Sequence, residues 1–332
     1  MKRKITLITG DGIGLEIMHA AANIIDKATN NIQWEEVSAG YTAYEKFGEL
    51  LPEETIKSIE RNKIAFKGPI TTPVGKGFRS INVLLRQRFN LYCNLRPVKS
   101  FEGVNCLYKN LDLVIIRENS EDLYKGIEHM ITDAAAESIK IITRGASERI
   151  ADFAFKTAEK EKRGKVTLTH KANIMKLTDG LFLESGQKIS QNYPHINFED
   201  VIVDAMSMKL VMNPYDYEVI VAPNLYGDIL SDMAAGLVGG LGMAPSANIG
   251  EDIAIFEPVH GSAPDIAGKN IANPTAAILS GIMMLKYIGE ETAAIKIEDA
   301  LKIVLKNNNL HTKDIGGRLS TTEFKEEIIK LL

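Results

Sequence analysis

Short apolar runs rich in Val, Ile and Leu alternate with amphipathic stretches along most of the chain. The runs that predict strands lie at residues 5–9, 32–37, 64–66, 111–116, 166–169, 201–203 and 219–221. Helical periodicity is found at residues 15–27, 82–89, 147–161, 273–286, 290–306 and 321–332. Strands that are apolar throughout are buried on both faces, so the alternation predicts an α/β fold with helices on both sides of a sheet.

Residues 123–143 break this alternation. Their short apolar runs, Met130-Ile131 and residues 139–142, are separated by polar positions without a helical period. We therefore expect an extended arm. Because a two-stranded ribbon is marginally stable by itself in water, the arm predicts pairing with a second subunit.

The composition indicates which class of protein this is. The chain has 332 residues, of which 45% are hydrophobic and 25% charged, as in a soluble globular protein of two domains or one large one. Its 39 basic and 43 acidic side chains give a net charge of −4. This balance offers no general attraction to nucleic acid or to a membrane surface.

The cysteines and the N-terminus bear on the compartment. Cys93 and Cys106 lack CxxC spacing and cannot form a disulfide framework, which favours buried thiols in a reducing cytoplasm. The basic start is followed by an apolar stretch that is too short for a signal peptide. No stretch approaches the roughly 18 apolar residues of a membrane helix. The expected location is the cytoplasm.

The first glycine-rich turn, residues 10–14, follows a strand and opens a helix. Its spacing is GxGxG, with Leu15 where the third glycine of a dinucleotide-binding GxGxxG would stand. Direct cofactor contact and a plain tight turn both remain open.

Three arginines lie near the ends of predicted elements. Arg86 belongs to a helix that also carries Ser80 and Asn82, whereas Arg96 and Arg117 end apolar runs. Each arginine alone is typical of a surface salt bridge. Guanidinium groups also bind carboxylates in bidentate fashion, so the set together indicates a small polyanionic substrate.

Three aspartates suggest a metal. Asp228 and Asp232 share one face of a helix, and Asp204 ends a strand. A hard divalent cation offsets the repulsion of like charges, and an oxygen-only set favours Mg²⁺ or Mn²⁺ over zinc. Helix capping by Asp228 is the alternative.

Two further side chains are candidates for proton transfer. Lys171 follows a strand, where a nearby metal could lower its pKa, and Tyr124 opens the arm. For most lysines and tyrosines in such positions an ordinary structural role is the alternative.

The loop at residues 257–268 contains glycines, prolines and small residues. Such a backbone can approach a ligand closely, and Asp265 could accept hydrogen bonds from a ribose diol while repelling a 2′-phosphate. An irregular loop without a ligand is the alternative.

Taken together, these motifs resemble those of the β-decarboxylating dehydrogenases, which act on isocitrate, 3-isopropylmalate, homoisocitrate or tartrate. The resemblance covers nearly the whole chain. It rests on residues 10–14, 80–86, 94–97, 117–124, 170–175, 224–232 and 260–268.

The resemblance implies a two-domain α/β fold of the isocitrate/isopropylmalate dehydrogenase type, which is not a Rossmann fold. Residues 1–96 and 241–332 would form a large cofactor-binding domain. Residues 97–240 would form a small dimerisation domain whose arm, at about 123–143, clasps a partner. The implied assembly is a homodimer, or a higher oligomer built from it, with shared active sites, in which Lys171 and Asp204 serve the neighbouring subunit.

The resemblance also implies roles for individual residues. Lys171 would help to remove the hydroxyl proton, and Tyr124 would protonate the enol carbon. The substrate would be held by Ser80, Asn82, Arg86, Arg96 and Arg117. Mg²⁺ or Mn²⁺ would be held by Asp204, Asp228 and Asp232. The cofactor would be lined by Thr71, His260, Gly261, Ser262, Ala263, Pro264, Asp265, Ile266 and Asn273.

Substrate and cofactor follow from a few positions. In isocitrate enzymes a Ser/Asn pair equivalent to Ser80 and Asn82 binds the γ-carboxylate, whereas an alkyl tail would leave both groups unsatisfied. D-Isocitrate is therefore favoured, with homoisocitrate or 3-isopropylmalate as alternatives. Asp265 and Ile266 stand where NADP-using relatives carry Lys and Tyr, which favours NAD. A non-catalytic regulatory subunit is disfavoured because the catalytic and metal positions are all occupied by suitable residues.

Overall fold

The computed structural model describes residues 2–71 and 80–332. Contacts divide the chain into two compact units. The first unit comprises Met1–Phe89, Ser100–Asn110 and Val238–Leu332, and the second comprises Asn90–Lys99 and Leu111–Leu237. Both units are mixtures of helices and strands, which confirms the predicted α/β class.

The elements are numbered in chain order over the described residues. The strands are β1 (Arg3–Ile8), β2 (Ile32–Val37), β3 (Ile64–Lys67), β4 (Cys93–Lys99), β5 (Asp112–Glu118), β6 (Glu128–Thr132), β7 (Ala135–Ser138), β8 (Lys165–His170), β9 (Asn197–Ile202), β10 (Val219–Ala222), β11 (Pro245–Ile249) and β12 (Ala254–Pro258). The helices are α1 (Gly14–Ala28), α2 (Tyr41–Phe47), α3 (Glu53–Asn62), α4 (Ile81–Arg88), α5 (Arg144–Lys160), α6 (Thr178–Ser190), α7 (Val203–Met212), α8 (Asn224–Leu237), α9 (Thr275–Tyr287), α10 (Glu291–Lys306) and α11 (Thr321–Ile329).

In the first unit the strand order is β2-β1-β3-β12-β11. β2, β1, β3 and β12 run parallel, and β11 is antiparallel to β12. Parallel strands end at the same edge of a sheet. The segments that follow β1, β3 and β12 therefore lie together, which brings the glycine-rich turn at residues 10–14 to the loop after β12.

Helix α9 forms the centre of the first unit and is buried on nearly every side. It contacts β3, β11, β12 and helices α1 and α10. A Cβ atom at Gly281 would lie 2.8 Å from Cδ1 of Ile25, so this glycine permits the close approach of α9 to α1. A helix that is apolar all round requires such burial.

In the second unit the strand order is β4-β5-β10-β8-β9. β5, β10, β8 and β9 are parallel, and β4 is antiparallel to β5. The carboxyl ends of the parallel strands deliver Arg117, Lys171 and the starts of α7 and α8 to one edge. Helix α8 packs against β5, where a Cβ atom at Gly227 would lie only 2.7 Å from Cβ of Arg117.

The unit boundaries differ from the expected division at residues 96 and 241. β4 pairs with β5 from Cys93↔Glu118 to Lys99↔Asp112, and these hydrogen bonds group both strands in the second unit. The connection Ser100–Asn110 belongs instead to the first unit. There a Cβ atom at Gly103 would lie 2.0 Å from the carbonyl oxygen of Leu305, so the connection packs directly on α10.

Most predicted elements are present, with shifted ends. The strand expected at 201–203 runs over Asn197–Ile202, and Val203 is already the first residue of α7. In the expected arm, β6 and β7 pair antiparallel and expose all of their residues. Within residues 2–71 and 80–332, no helix is both long and apolar enough to cross a membrane.

Candidate active site

Arg117 lies at the carboxyl end of β5 and is 1% exposed. Its Nε donates to Oδ1 of Asn224 at 2.8 Å, and its Nη1 forms an ion pair with Asp228. The Tyr124 hydroxyl donates to Oδ2 of the same aspartate at 2.6 Å, and the Arg117 guanidinium lies 4.9 Å from the centre of the Tyr124 ring. Asp228 thus joins a buried cation to a candidate acid.

Arg96, on β4, contacts the same helix one turn further along. Its Nη1 donates to Asp232 Oδ1 at 2.6 Å and to Ser231 Oγ at 2.5 Å. Its Nε donates to Oδ1 of Asn94 at 2.7 Å, and its Nη2 lies 3.4 Å from Asp228 Oδ1. Two arginines from neighbouring strands therefore face two aspartates from one helix.

We call Arg96, Arg117, Tyr124, Asp228 and Asp232 the carboxylate–guanidinium cluster. The arginine side chains are 10% and 1% exposed, whereas those of Asp228 and Asp232 are 33% and 51% exposed. The cluster is therefore closed on its arginine side and open to solvent on its carboxylate side. Such a site can exchange internal ion pairs for an anionic ligand and a cation.

The segment between Arg117 and Tyr124 is held by its own buried carboxylates. Glu118 accepts the N–H groups of Ser120 and Glu121 at 2.9 and 3.0 Å. Glu121 accepts both the N–H and the hydroxyl of Thr143 at 2.8 Å. Burial raises the pKa of Glu118 and of Glu121. These acids therefore fix the backbone of the segment that joins Arg117 to Tyr124.

Asp122 is a further support that the sequence analysis did not single out. It is fully buried, adopts a φ of +71°, and accepts the N–H of Leu225 at 2.9 Å in the first turn of α8. Non-glycine residues adopt this backbone region rarely, and Asp is among those that tolerate it. The sequence carries no clear signal for it, because Asp122 is one of several charged residues in the polar stretch 117–122.

Lys171 and Asp204 form a separate pair. The Lys171 ammonium donates to Asp204 Oδ1 at 2.5 Å and holds the pKa of this carboxyl below its ordinary value. The two side chains are 25% and 69% exposed. In this chain Asp204 is thus paired with Lys171, while Asp228 and Asp232 are paired with arginines.

The residues present fit a hard divalent cation only in part. Asp228 and Asp232 offer adjacent, solvent-accessible oxygens on one helix face, which suits Mg²⁺ or Mn²⁺. In the described part of the chain, no three His, Cys, Asp or Glu side chains form a group that could hold a metal ion. Further ligands would have to come from the substrate or from another chain.

The remaining expected substrate residues lie in the first unit, just before α4 and along it. Ser80 is exposed and precedes the helix, and Asn82 and Arg86 are half-buried on one face. Burial alone would raise the pKa of Glu257, but the charges of Lys67 and Arg86 outweigh it and hold the pKa below its ordinary value. Arg86 therefore faces a buried carboxylate.

The glycine-rich turn at residues 10–14 is organised by Asp11. This buried carboxylate accepts the N–H groups of Tyr41, Thr42 and Thr71 at 2.9, 2.8 and 2.7 Å. Gly12 has a φ of +57°, and a Cβ atom there would lie 2.0 Å from the carbonyl oxygen of Ser262. Tight turning and close backbone packing account for this motif.

The loop after β12, residues 259–268, is named the β12 loop. Ser262 anchors it, because its carbonyl accepts the Ile13 N–H at 2.9 Å and its hydroxyl lies 2.7 Å from that of Thr71. Ala263 has a φ of +39°, whereas Asp265 and its neighbour Pro264 are exposed. Gly261 is exposed, and Ile266 is half-buried.

His260 indicates that the β12 loop could bind a dinucleotide. Its Nε2 is buried and has no hydrogen-bond partner among the described residues, and burial lowers its pKa. A neutral imidazole with one free ring nitrogen suits a nucleotide base or sugar. Asn273 is more fully engaged, since it accepts the Thr275 N–H at 2.9 Å and donates to Asp314 at 3.0 Å.

Comparison with known proteins adds family information to this geometry. The family model described as isocitrate/isopropylmalate dehydrogenase matches residues 4–328. A Drosophila melanogaster protein named probable isocitrate dehydrogenase [NAD] subunit alpha, mitochondrial, is 51% identical over 328 residues, covering 98% of this chain and 86% of that protein. An Arabidopsis thaliana protein named isocitrate dehydrogenase [NAD] catalytic subunit 5, mitochondrial, is 48% identical, covering 97% and 87%.

A solved structure is also similar to this chain in both fold and sequence. The crystal structure of isocitrate dehydrogenase from Methylococcus capsulatus has a TM-score of 0.96 and 53% sequence identity, covering 100% of this chain and 99% of that one.

Proposed function

Because the chain belongs to the isocitrate/isopropylmalate dehydrogenase family, we propose that it oxidises and decarboxylates D-isocitrate to 2-oxoglutarate and CO₂, using NAD and Mg²⁺ or Mn²⁺. The observation that carries the proposal is the carboxylate–guanidinium cluster, in which two arginines face two aspartates beside a tyrosine hydroxyl. The names of the relatives, which are NAD-dependent isocitrate dehydrogenases, support the same activity.

Substrate binding would exchange internal ion pairs for external ones. Arg96 and Arg117 would transfer one guanidinium face each from an aspartate to a substrate carboxylate, and the freed aspartate oxygens would hold the cation. Arg86 would take a further carboxylate. Ser80 and Asn82 would donate to the γ-carboxylate, which favours isocitrate over 3-isopropylmalate.

Proton transfer would be the task of two side chains. Lys171 would assist removal of the 2-hydroxyl proton as NAD accepts hydride from C2. Tyr124, whose hydroxyl already points at Asp228, would protonate the carbon left after CO₂ departs. The cation, when bound, polarises the oxygen at C2 and stabilises the negative charge that decarboxylation leaves.

NAD would bind on the first unit. His260 Nε2 and the open backbone of the β12 loop would contact the adenosine half, with Thr71 and Asn273 at its margins. The exposed carboxylate of Asp265 would accept hydrogen bonds from the ribose hydroxyls and would repel a 2′-phosphate.

The proposed assembly is a homodimer with shared sites. Lys171 and Asp204 are paired with each other rather than with the cluster. Exposed apolar side chains occur on α7, at Met208 and Met212, which are 54% and 70% exposed. Exposed apolar surface of this kind is typical of a protein interface. A cytoplasmic location is part of the proposal, although the relatives named above are mitochondrial.

One assay tests the activity and its alternatives together. The purified chain is given D-isocitrate, homoisocitrate or 3-isopropylmalate with NAD or NADP, with and without EDTA. We expect the highest kcat/KM with isocitrate, NAD and added Mg²⁺ or Mn²⁺. Preference for 3-isopropylmalate would overturn the assignment to Ser80 and Asn82, and absence of all activity would favour a regulatory subunit.

A further inference from the structure

A buried ionic network lies directly behind Lys171 in the second unit. Asp179, in the first turn of α6, is fully buried and uses both of its carboxylate oxygens. Oδ2 accepts the backbone N–H of Lys171 at 2.7 Å. Oδ1 accepts the Lys140 ammonium at 2.6 Å. A single carboxylate therefore holds the backbone of Lys171, whereas the Lys171 side chain binds Asp204.

Lys140 connects this carboxylate to the segment that carries Tyr124. Its side chain is 11% exposed, and its Nζ lies 3.9 Å from Oδ1 of Asp122 and 4.4 Å from the centre of the Tyr226 ring. Asp122 in turn accepts the N–H of Leu225 at 2.9 Å. One ammonium group thus ties α6, the Asp122 turn and the start of α8 together.

We propose that Asp179 and Lys140 are positioning residues that hold Lys171 in the orientation needed for proton transfer. The proposal rests on the proposed function, because it assumes that Lys171 assists removal of the substrate proton. Neither residue contacts substrate or cofactor in this scheme. Their role follows from burial, since a buried carboxylate that binds both an ammonium and a backbone N–H tolerates very little displacement.

The turn after β8 depends on Asp179 at its first residue. Lys171 is the first residue beyond β8, and its N–H is bound by Asp179 rather than by a neighbouring strand. An asparagine at position 179 would offer one acceptor oxygen to two donors, so one of the two bonds would be lost. The turn could then rotate and move the Lys171 ammonium. Misplacement of a catalytic group by about 1 Å can lower a rate by about a hundredfold.

The test compares Asp179→Asn and Lys140→Met with Lys140→Arg, which retains the charge. Asp152→Asn is the control. Like Asp179, Asp152 binds a lysine, Lys156, at 2.7 Å, and it also accepts the Tyr193 hydroxyl at 2.7 Å, but it makes no bond to Lys171 in the described residues. Each variant is measured for kcat, for KM, for the deuterium isotope effect at C2 of isocitrate, and for amide exchange at Lys171.

For Asp179→Asn we expect kcat to fall at least about tenfold while KM changes less than about twofold. The isotope effect should rise because chemistry becomes slower than product release, and the Lys171 amide should exchange faster. Lys140→Met should act in the same direction, Lys140→Arg should restore most of kcat, and Asp152→Asn should change none of the four readouts. A fall in kcat with unchanged isotope effect and unchanged Lys171 exchange would mean a general structural loss and would overturn the proposal.

A further variant, Lys140→Gln, tests the proposal if Asp179→Asn does not fold. Lys140→Gln keeps the bond between Asp179 and Lys171 and should lower kcat about threefold to tenfold, with the same rise in isotope effect. Wild-type kcat in that variant would contradict the proposal. If the wild-type chain does not oxidise isocitrate, the proposed function fails, but amide exchange at Lys171 still tests the positioning role.

Discussion

In the carboxylate–guanidinium cluster charged side chains are held by one another, whereas the β12 loop is held largely by backbone groups. Arg117 and Asp228 are joined by an ion pair and share further polar partners. Ser262 anchors the β12 loop through its carbonyl and one hydroxyl, and Asp265 is left exposed. The two regions therefore differ in what a single substitution removes.

A substitution in the cluster acts twice, because it deletes a ligand contact and leaves a buried charge unpaired. Removing one partner of a buried pair typically costs about 3–5 kcal/mol. A substitution at an exposed position of the β12 loop leaves the fold intact and changes which ligand is preferred. The comparison predicts loss of catalysis in one region and altered selectivity in the other.

The largest effect is expected for Asp228→Asn. This change removes a carboxylate that faces Arg117 and Tyr124 and that is proposed to hold the cation, so kcat should fall by about a thousandfold or more. The exposed Asp216→Asn in the same unit is the control and should keep full activity. Thermal unfolding should show a folded variant. Full turnover of EDTA-treated wild-type enzyme without added metal would contradict the metal role.

A smaller effect, on selectivity alone, is expected in the β12 loop. The wild-type chain should prefer NAD over NADP by about a hundredfold in kcat/KM, the scale of one lost contact plus one repulsion. Asp265→Lys combined with Ile266→Tyr should erode or reverse this preference. Asp252→Lys, which changes charge at another exposed acid of the same unit, should not. Equal wild-type efficiency with both cofactors at saturating isocitrate would refute the interpretation of Asp265.

The sequence could predict much of this arrangement because parallel strands end at one sheet edge. Apolar runs identified β5, β8 and β10, and motif residues directly after them, such as Lys171, had to lie at that edge. The α/β class was predicted correctly on this basis, and the family was predicted correctly from the resemblance of the motifs. The metal, substrate and cofactor roles of individual residues stay predictions.

The supports behind those residues could not be predicted in the same way. Asp122 needs a positive φ, and Asp179 needs contacts from two distant segments, Lys140 and Lys171, before either appears important. Hydrophobic periodicity carries no information about such long-range polar pairs. It also misplaced the end of β9. An apolar residue such as Val203 is compatible with a buried strand and with a helix, so it does not mark the boundary between β9 and α7.

A change in substrate selectivity is expected from a substitution just before α4. Ser80→Leu removes a hydroxyl proposed to bind the γ-carboxylate and adds bulk, so kcat/KM should fall at least about tenfold more for isocitrate than for 3-isopropylmalate. Ser80 is exposed, and stability should therefore change little. Parallel kinetics with both substrates measure the ratio, and Ser80→Ala separates loss of the hydroxyl from added bulk. An unchanged ratio in Ser80→Leu would place the γ-carboxylate elsewhere.

The smallest effect is expected at His260, a half-buried side chain of the β12 loop whose Nε2 atom is buried. Burial lowers its pKa from the ordinary value of 6.5, so the folded chain keeps the ring neutral where the unfolded chain already binds a proton. The resulting contribution to the free energy of unfolding is complete above pH 6.5. It is lost as the pH falls from 6.5 towards the lower pKa that His260 has in the folded chain. His260→Asn should raise KM for NAD about twofold to tenfold, the scale of one hydrogen bond, with kcat nearly unchanged. The variant lacks the titrating ring, so wild-type melting temperature should fall more steeply than that of the variant between pH 7.5 and about 5.5. Parallel pH profiles for both proteins would contradict a buried neutral histidine.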